Sequence, residues 1–171
     1  MQEQPSVARV ALKFGVIIGI AVIVYSTILT IAELNQNQGL SSISFLILAA
    51  GMVFAMREFR TQNDGFMSYG QGLGIGSLMS TIVGLLSSTF SIFYTQFIDP
   101  NVMERAMDKA REDMESRGMS DAQIDAGIEM AQKFQTPGIM FLMGIVIFLV
   151  VGFIIALIVS AIMRRNKPVF E

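Results

Sequence analysis

The chain has 171 residues, of which 53% are hydrophobic and only 15% are charged. Soluble domains usually carry about 25% charged residues, and here the apolar residues are concentrated in four runs, which is typical of a membrane protein. The formal net charge of −2 excludes the strongly basic surface of a nucleic-acid-binding protein. Cysteine and histidine are absent, so the chain itself offers no disulfide, thiolate zinc site or imidazole base.

The first apolar run, residues 10–32, predicts a membrane span, because a span needs about 20 mostly apolar residues. Lys13 lies one turn inside its start, from where its side chain can extend to the lipid headgroups. The run is longer than the apolar region of a signal peptide, and no Ala-x-Ala cleavage site follows it, so we expect an uncleaved anchor. Gly15 and Gly19, four residues apart, predict a face where another helix approaches closely.

The second run, residues 40–56, is the shortest of the predicted spans. Its 17 residues rise by about 25 Å as a helix, against a hydrocarbon core of about 30 Å. The helix can thin the membrane locally or use Arg57 and Arg60 to reach the headgroups, and a re-entrant or interfacial segment is the alternative. A polar loop follows, in which Asn63 and Gly65 belong to a turn signal. The other residues of this loop motif are Phe66 and Tyr69, expected to anchor at the membrane interface, and Gln71.

The third run, residues 70–98, has no charged residue and predicts the central helix of a bundle. Small residues recur in it at every fourth position, which lets helix backbones approach closely in lipid. This four-residue spacing drifts by about 40° per step on a helix, so the stripe can serve more than one neighbour. The members of the stripe are Gly72, Gly76, Ser80, Gly84 and Ser88.

Residues 99–136 are polar and predict a helical hairpin outside the bilayer. Asp99 is expected to cap a helix that begins at Pro100, and Gly118 to end it. Ser120 and Gln123 match a capping box for the second helix. One apolar face is predicted on each helix, from Val102, Met103, Ala106, Met107, Ala110 and Met114 on the first and from Ile124, Ile128, Ala131 and Phe134 on the second.

The fourth run, residues 137–163, begins with Pro137 and repeats the small-residue spacing at Gly152, Ala156 and Ser160. The whole chain is therefore predicted to be a single all-α, multi-pass membrane domain with four transmembrane helices. The hairpin carries nine acidic and five basic residues. The positive-inside rule then places both termini in the cytoplasm and residues 99–136 in the periplasm. The basic residues that gather near one set of span ends are Arg9, Lys13, Arg57, Arg60, Arg164, Arg165 and Lys167.

Two passages resemble a bacterial membrane family called domain of unknown function 4199. The first is Asn63-x-Gly65-Phe66-x-Ser68-Tyr69-Gly70-Gln71, followed by Gly76. The second runs from Phe97-Ile98-Asp99-Pro100 through Gly118-Met119-Ser120 and Gln123-Ile124 to Pro137-Gly138. The resemblance implies a four-helix integral protein of a bacterial inner membrane. It implies no activity, so no functional residue is carried over.

The sequence favours a non-enzymatic role, since the predicted spans contain no aspartate or glutamate and the chain has no histidine. No catalytic residue, metal ligand or cofactor is predicted. We expect a structural or accessory subunit in the lipid bilayer that forms a homo-oligomer or joins a larger membrane-protein complex. It would associate through its small-residue helix seams, its outer hairpin or both. The alternative is a small oligomeric pore or passive solute carrier lined by serine and threonine hydroxyls of the third span.

Overall fold

A computed structural model describes residues 5–35 and 37–167 of the chain. The chain is 83% helical, and the described part contains no strand, so the predicted all-α class is confirmed. The helices are α1 (Val7–Ile31), α2 (Gln38–Gln62), α3 (Tyr69–Phe93), a π-helix (Tyr94–Ile98), α4 (Val102–Ser116), α5 (Asp121–Lys133) and α6 (Pro137–Met163).

Four helical segments are long and apolar enough to cross a membrane: α1, α2, α3 with its π-helical continuation, and α6. The second is longer than the predicted span, because α2 has 25 residues and continues to Gln62. At 1.5 Å per residue this length exceeds the thickness of a hydrocarbon core. Residues 57–62, expected to form a loop, are helical because Phe59 is buried in the core and Glu58 pairs with Lys13 of α1.

The chain divides into two compact units. The first contains the described residues up to Ser87 together with those from Gly144 to Lys167, and therefore α1, α2 and most of α3 and α6. The second covers Ser88–Met143. The sequence predicts one membrane domain with an extramembrane hairpin at residues 99–136, and the second unit contains this hairpin together with the end of α3 and the start of α6.

The four helices of the first unit are packed as near neighbours through specific contacts. In α1, Gly15 faces Ile82 of α3, and Ile18 presses against Gly51 of α2. The rings of Phe45 in α2 and Phe148 in α6 lie with their centroids 5.6 Å apart. Helix α6 also packs along α3, as described below. Each helix thus touches at least two others.

The first unit buries small residues and methionines together with a few large apolar side chains such as Leu48 and Ile75, and α1 and α6 turn most of their large aliphatic side chains outward. In α6 the buried residues are Gly152, Ala156 and Ser160. The outward side chains of α1 and α6 form broad apolar surfaces, which are costly in water but match the hydrocarbon of a bilayer. This is the distribution of a multi-pass membrane protein. The exposed aliphatic residues include Leu12, Ile17, Ile20, Val24 and Ile28 of α1 and Val150, Ile154, Ile158 and Ile162 of α6.

The second unit contains the end of α3, the π-helix and the hairpin of α4 and α5. Gly118 adopts a positive φ of 73° just after α4 ends. The amide of Ser120 donates to Oε1 of Gln123 at 3.0 Å, which is the predicted capping interaction at the start of α5. Ile124 and Ile128 are buried as the face of α5, and the six apolar residues predicted for α4 are all half-buried.

Two details of this hairpin differ from the prediction. Helix α4 begins at Val102 and has Asn101 as its N-cap, so Pro100 is not its first residue. The reason is that the Asp99 carboxylate forms a local turn by accepting from the amide of Asn101 at 3.2 Å and also pairs with Arg105. Phe134 is exposed because it is the C-cap residue, beyond the last turn of α5.

Candidate functional site: the small-residue seam and the basic end of the first unit

The small residues of α3 and α6 interlock as two antiparallel rows. A Cβ atom added at Gly76 would overlap the Cβ of Ala156, and one added at Gly152 would overlap the side chain of Ser80. One added at Gly72 would lie 2.9 Å from the hydroxyl oxygen of Ser160. Every fourth residue of α3 therefore contacts every fourth residue of α6, and the two helices run in opposite directions.

The remaining small residues of the predicted seams are also in close contact. A Cβ atom at Gly84 would lie 3.0 Å from the Cβ of Phe148. Gly15 and Gly19 of α1 receive Ile82 and Leu86 of α3, with closest approaches of 2.9 and 2.8 Å to an added Cβ. Because the first unit fills these seams from within, they are not open surfaces on this chain. Ser88, the last member of the stripe, belongs to the second unit, where it is buried.

The loop motif between α2 and α3 forms a tight turn. Asp64 and Gly65 both adopt positive φ, 53° and 83°, which explains the glycine. The side-chain amide of Asn63 donates to the carbonyl of Phe66 at 2.9 Å, and the amide of Gly65 donates to the carbonyl of Arg60 at 2.7 Å. These bonds close the end of α2 and turn the chain back toward α3.

Ser68 and Gln71 cap the start of α3 reciprocally. The amide of Ser68 donates to Oε1 of Gln71 at 2.8 Å, and the amide of Gln71 donates to Oγ of Ser68 at 3.2 Å. This accounts for Gln71 in the motif, and the Ser-x-x-Gln spacing is the signal that identifies it. Tyr69, the first residue of α3, is half-buried.

The segment after α6 is bound to this loop by a short β-bridge. The amide of Met67 donates to the carbonyl of Arg165, and the amide of Arg165 donates to the carbonyl of Met67, each at 2.8 Å. Met67 is fully buried. No pattern in the sequence indicates this pairing, because its two strands are single residues from distant parts of the chain.

Phe66 brings aromatic and cationic groups together beside the bridge. The guanidinium carbon of Arg165 and Nζ of Lys167 each lie 5.9 Å from the centroid of the Phe66 ring. Nζ of Lys167 also lies 3.7 Å from a carboxylate oxygen of Asp64. The side chain of Arg60 is directed inward, where its Nε donates to the carbonyl of Gly65 at 3.3 Å. We call Phe66, Arg165 and Lys167, held by this bridge, the basic clasp.

Lys13, which the sequence predicts to extend to the lipid headgroups, forms an ion pair with Glu58. Its Nζ donates to both carboxylate oxygens of Glu58, at 2.9 and 2.8 Å, and so joins the start of α1 to the end of α2. With the clasp, this pair defines what we call the basic end of the first unit. Its described residues comprise seven basic side chains, Arg9, Lys13, Arg57, Arg60, Arg164, Arg165 and Lys167, and two acidic ones, Glu58 and Asp64.

Several hydroxyls of α3 donate to carbonyls of the same helix. Ser80 donates to Gly76 at 2.8 Å and is fully buried, and Thr81 donates to Ser77 at 2.9 Å. Within residues 5–35 and 37–167, no group of three acidic, histidine or cysteine side chains is placed to hold a metal ion.

A family model for proteins of unknown function, DUF4199, matches residues 13–165. The match covers α1 from Lys13 onward, the other three apolar helical segments, the loop motif and most of the basic end. This chain belongs to the DUF4199 family. No curated protein and no solved structure matches it. DUF4199 membership agrees with the resemblance and with the four-helix architecture, and it assigns no role.

Proposed function

We propose that this DUF4199 protein is a non-enzymatic accessory subunit of a bacterial inner membrane, with both termini in the cytoplasm and residues 99–136 in the periplasm. The observation that carries the proposal is how the first unit uses its polar and small residues. Its glycines allow neighbouring helices to pack closely, and the ion pair of Lys13 and Glu58 joins α1 to α2. The hydroxyl groups of α3 whose hydrogen bonds are described donate to carbonyls of the same helix. These groups have structural roles, which supports a scaffold function.

The hairpin is the more promising of the two predicted association surfaces. The predicted small-residue seams at Gly15, Gly19, Gly72, Gly76, Gly84 and Gly152 are each filled by a neighbouring helix of the same chain, so they are not free to receive a second chain. In the second unit, Met130 and Phe134 are 65% and 58% exposed on an otherwise polar segment. Exposed apolar side chains rimmed by charge are typical of protein-binding surfaces. We therefore assign the partner contact to α5 and its C-cap.

The hydroxyl of Ser80 favours this role over the alternative of a pore, although the buried hydroxyls of Ser87, Ser88 and Ser160 have no hydrogen-bond partner within the described residues. A hydroxyl that donates to the carbonyl four residues earlier has its only proton engaged within the helix. Ser80, at the centre of α3, is in addition closed off by Gly152. A water path along this face of α3 within the first unit would require these two helices to separate.

Affinity purification from native membranes in mild detergent tests the proposal. We expect a membrane protein to copurify with the full-length chain and to be lost when Met130→Ser and Phe134→Ser are combined. A matched control, Leu142→Ser with Ile158→Ser, changes two exposed apolar residues of α6 and should retain the partner. A chain that purifies alone, or that releases solute from liposomes in a manner blocked by Ser80→Leu, contradicts an accessory role and would favour the pore.

A further inference from the structure

The basic clasp has the chemistry of a site for a phosphate-bearing lipid headgroup. Two cations of different geometry are held beside one aromatic ring, a guanidinium that can bind two oxygens at once and an ammonium that acts as a point charge. Arginine forms paired hydrogen bonds with phosphate oxygens. An aromatic ring with adjacent cations is also the combination that membrane proteins place at the headgroup level.

The bridge to Met67 gives the clasp a fixed backbone. Two hydrogen bonds of 2.8 Å hold Arg165 to the loop, and the loop itself is closed by the side chain of Asn63 and the positive φ of Gly65. The Arg165 side chain is therefore anchored at its base, while both basic side chains remain exposed. Binding a ligand there costs less ordering of the backbone than it would on a free tail.

The charge balance around the clasp favours an anion. At the basic end, seven basic side chains face two acidic ones, and Glu58 is already paired with Lys13. Asp64 is the one carboxylate near the clasp in the described residues, and its 3.7 Å distance from Lys167 is too long for a good hydrogen bond. Clusters of basic residues next to a membrane helix attract anionic lipids, by about 1 kcal/mol for each cation.

We propose that the basic clasp binds the phosphate group of an anionic phospholipid, with Arg165 and Lys167 as the binding cations and Phe66 as the surface that positions them. Asp64 opposes binding and so limits the affinity. The inference rests on the proposed embedding in a membrane, but it does not depend on which face the basic end occupies.

Native mass spectrometry of the full-length protein with added lipids tests the site. We expect the protein to retain phosphatidylglycerol in preference to phosphatidylcholine of the same acyl chains. Arg165→Gln combined with Lys167→Gln should lower this retention by ~30-fold, and either change alone by ~5-fold. Asp64→Asn should raise it. Lys109→Gln with Arg117→Gln removes the same charge from α4 and its cap and serves as the matched control, which should behave as wild type.

A second variant keeps the test decisive if the double change prevents folding. Phe66→Leu preserves every charge and should lower retention because the two cations lose the ring that positions them, by at most about fivefold, which corresponds to an exposed cation–π contact of about 1 kcal/mol. Equal retention by all clasp variants, or displacement of the lipid by inorganic phosphate at millimolar concentration, would overturn the proposal. Such variants would still require detergent and fractionate with membranes, so this failure is separable from a failure of the proposed function.

Discussion

Gly76 of α3 and Ala156 of α6 meet at the centre of the first unit, and their combined size sets how closely the two helices pack. Within a bilayer the hydrophobic effect does not drive helices together, so close van der Waals packing has to stabilise the contact. A single additional methyl group at this crossing therefore has a large effect. The same pair also offers a reciprocal exchange in which the total volume is conserved.

We predict that Gly76→Ala destabilises the protein by about 1–3 kcal/mol, because its Cβ would overlap that of Ala156. Adding Ala156→Gly to this variant should recover most of the loss, since the nearest remaining atoms, Cα of Ala156 and Sδ of Met52, would be 3.4 Å away. The free energy of unfolding, measured by titration with a denaturing detergent, checks both expectations.

Gly70→Ala is the matched control for that experiment, because nothing lies within 4 Å of a Cβ at this position of the same helix. It should leave stability unchanged or raise it by up to about 1 kcal/mol, as alanine is the better helix former. A Gly76→Ala variant as stable as Gly70→Ala would show that α3 and α6 do not pack closely here.

The sequence predicted the small-residue rows of the first unit as individual rows, because a spacing of four is visible within one helix. It did not predict which row meets which, since Gly76 and Ala156 are brought together only by the order and direction of the helices. Because the sequence does not show that these rows pack against each other, it also allowed the hypothesis that they bind a partner protein. The spacing of Ser68 and Gln71 is a capping signal that the sequence prediction did not use, and their hydrogen bond shows that Gln71 caps α3.

At the scale of elements, helix ends were harder to predict than helix interiors. Helix α2 continues through Arg57 and Arg60, since polar residues can extend a helix whose next apolar residue, Phe59, is buried. The π-helix at Tyr94–Ile98 has no signal in the composition of the third span. The start of α4 depends on which groups the Asp99 carboxylate binds. It accepts from the amide of Asn101 and pairs with Arg105, so it does not cap a helix that begins at Pro100.

The hydrogen bond from Arg105, together with the charge of its guanidinium, lowers the pKa of Asp99 below its ordinary value. A carboxyl group whose pKa is lower in the folded than in the unfolded protein stabilises the fold at a pH above its unfolded-state pKa. This stabilisation is lost as the pH falls through the folded-state pKa. We predict that Arg105→Gln raises the pKa of Asp99 and removes this acid-dependent part of stability. An NMR titration of the Asp99 carboxyl carbon in the full-length protein measures the change.

Arg111 provides the control for this titration. It also lies on α4, but it pairs with Asp125 of α5 at 3.0 Å. Arg111→Gln removes the same charge from the same helix and should leave the Asp99 titration close to that of the wild type. Equal shifts in the two variants would mean that the overall charge of α4 determines the pKa, and not the specific contact.

At the scale of the whole molecule, composition predicted the membrane class and the four apolar helices, because long apolar segments leave few alternatives. The exception is the second run, whose 17 residues also fit a re-entrant segment, whereas α2 has 25 residues. The hairpin of the second unit was predictable in the same way from the polar composition of residues 99–136, whereas the limits of that unit, Ser88 and Met143, depend on contacts between distant segments. The hairpin faces were predicted well from their helical spacing, with the exception of Phe134 at the helix end.

The proposed orientation predicts which residues can be reached from outside the cell. Because the chain has no cysteine, single replacements at exposed positions give unambiguous labelling. We expect Glu112→Cys in α4 to react with a membrane-impermeant maleimide in intact cells. Asn166→Cys, beside the basic clasp, should react only after the inner membrane is permeabilised. The reverse pattern would contradict the orientation, and labelling of both sites in intact cells would contradict a crossing of the membrane by α6.

The bridge between Met67 and Arg165 also has a consequence for biogenesis. Domains form progressively as a chain leaves the ribosome, and Arg165 is made long after Met67. The amide and carbonyl of Met67 therefore lack these partners until α4, α5 and α6 have been synthesised. These two hydrogen bonds therefore form late in folding, and the basic end is complete only when they have formed.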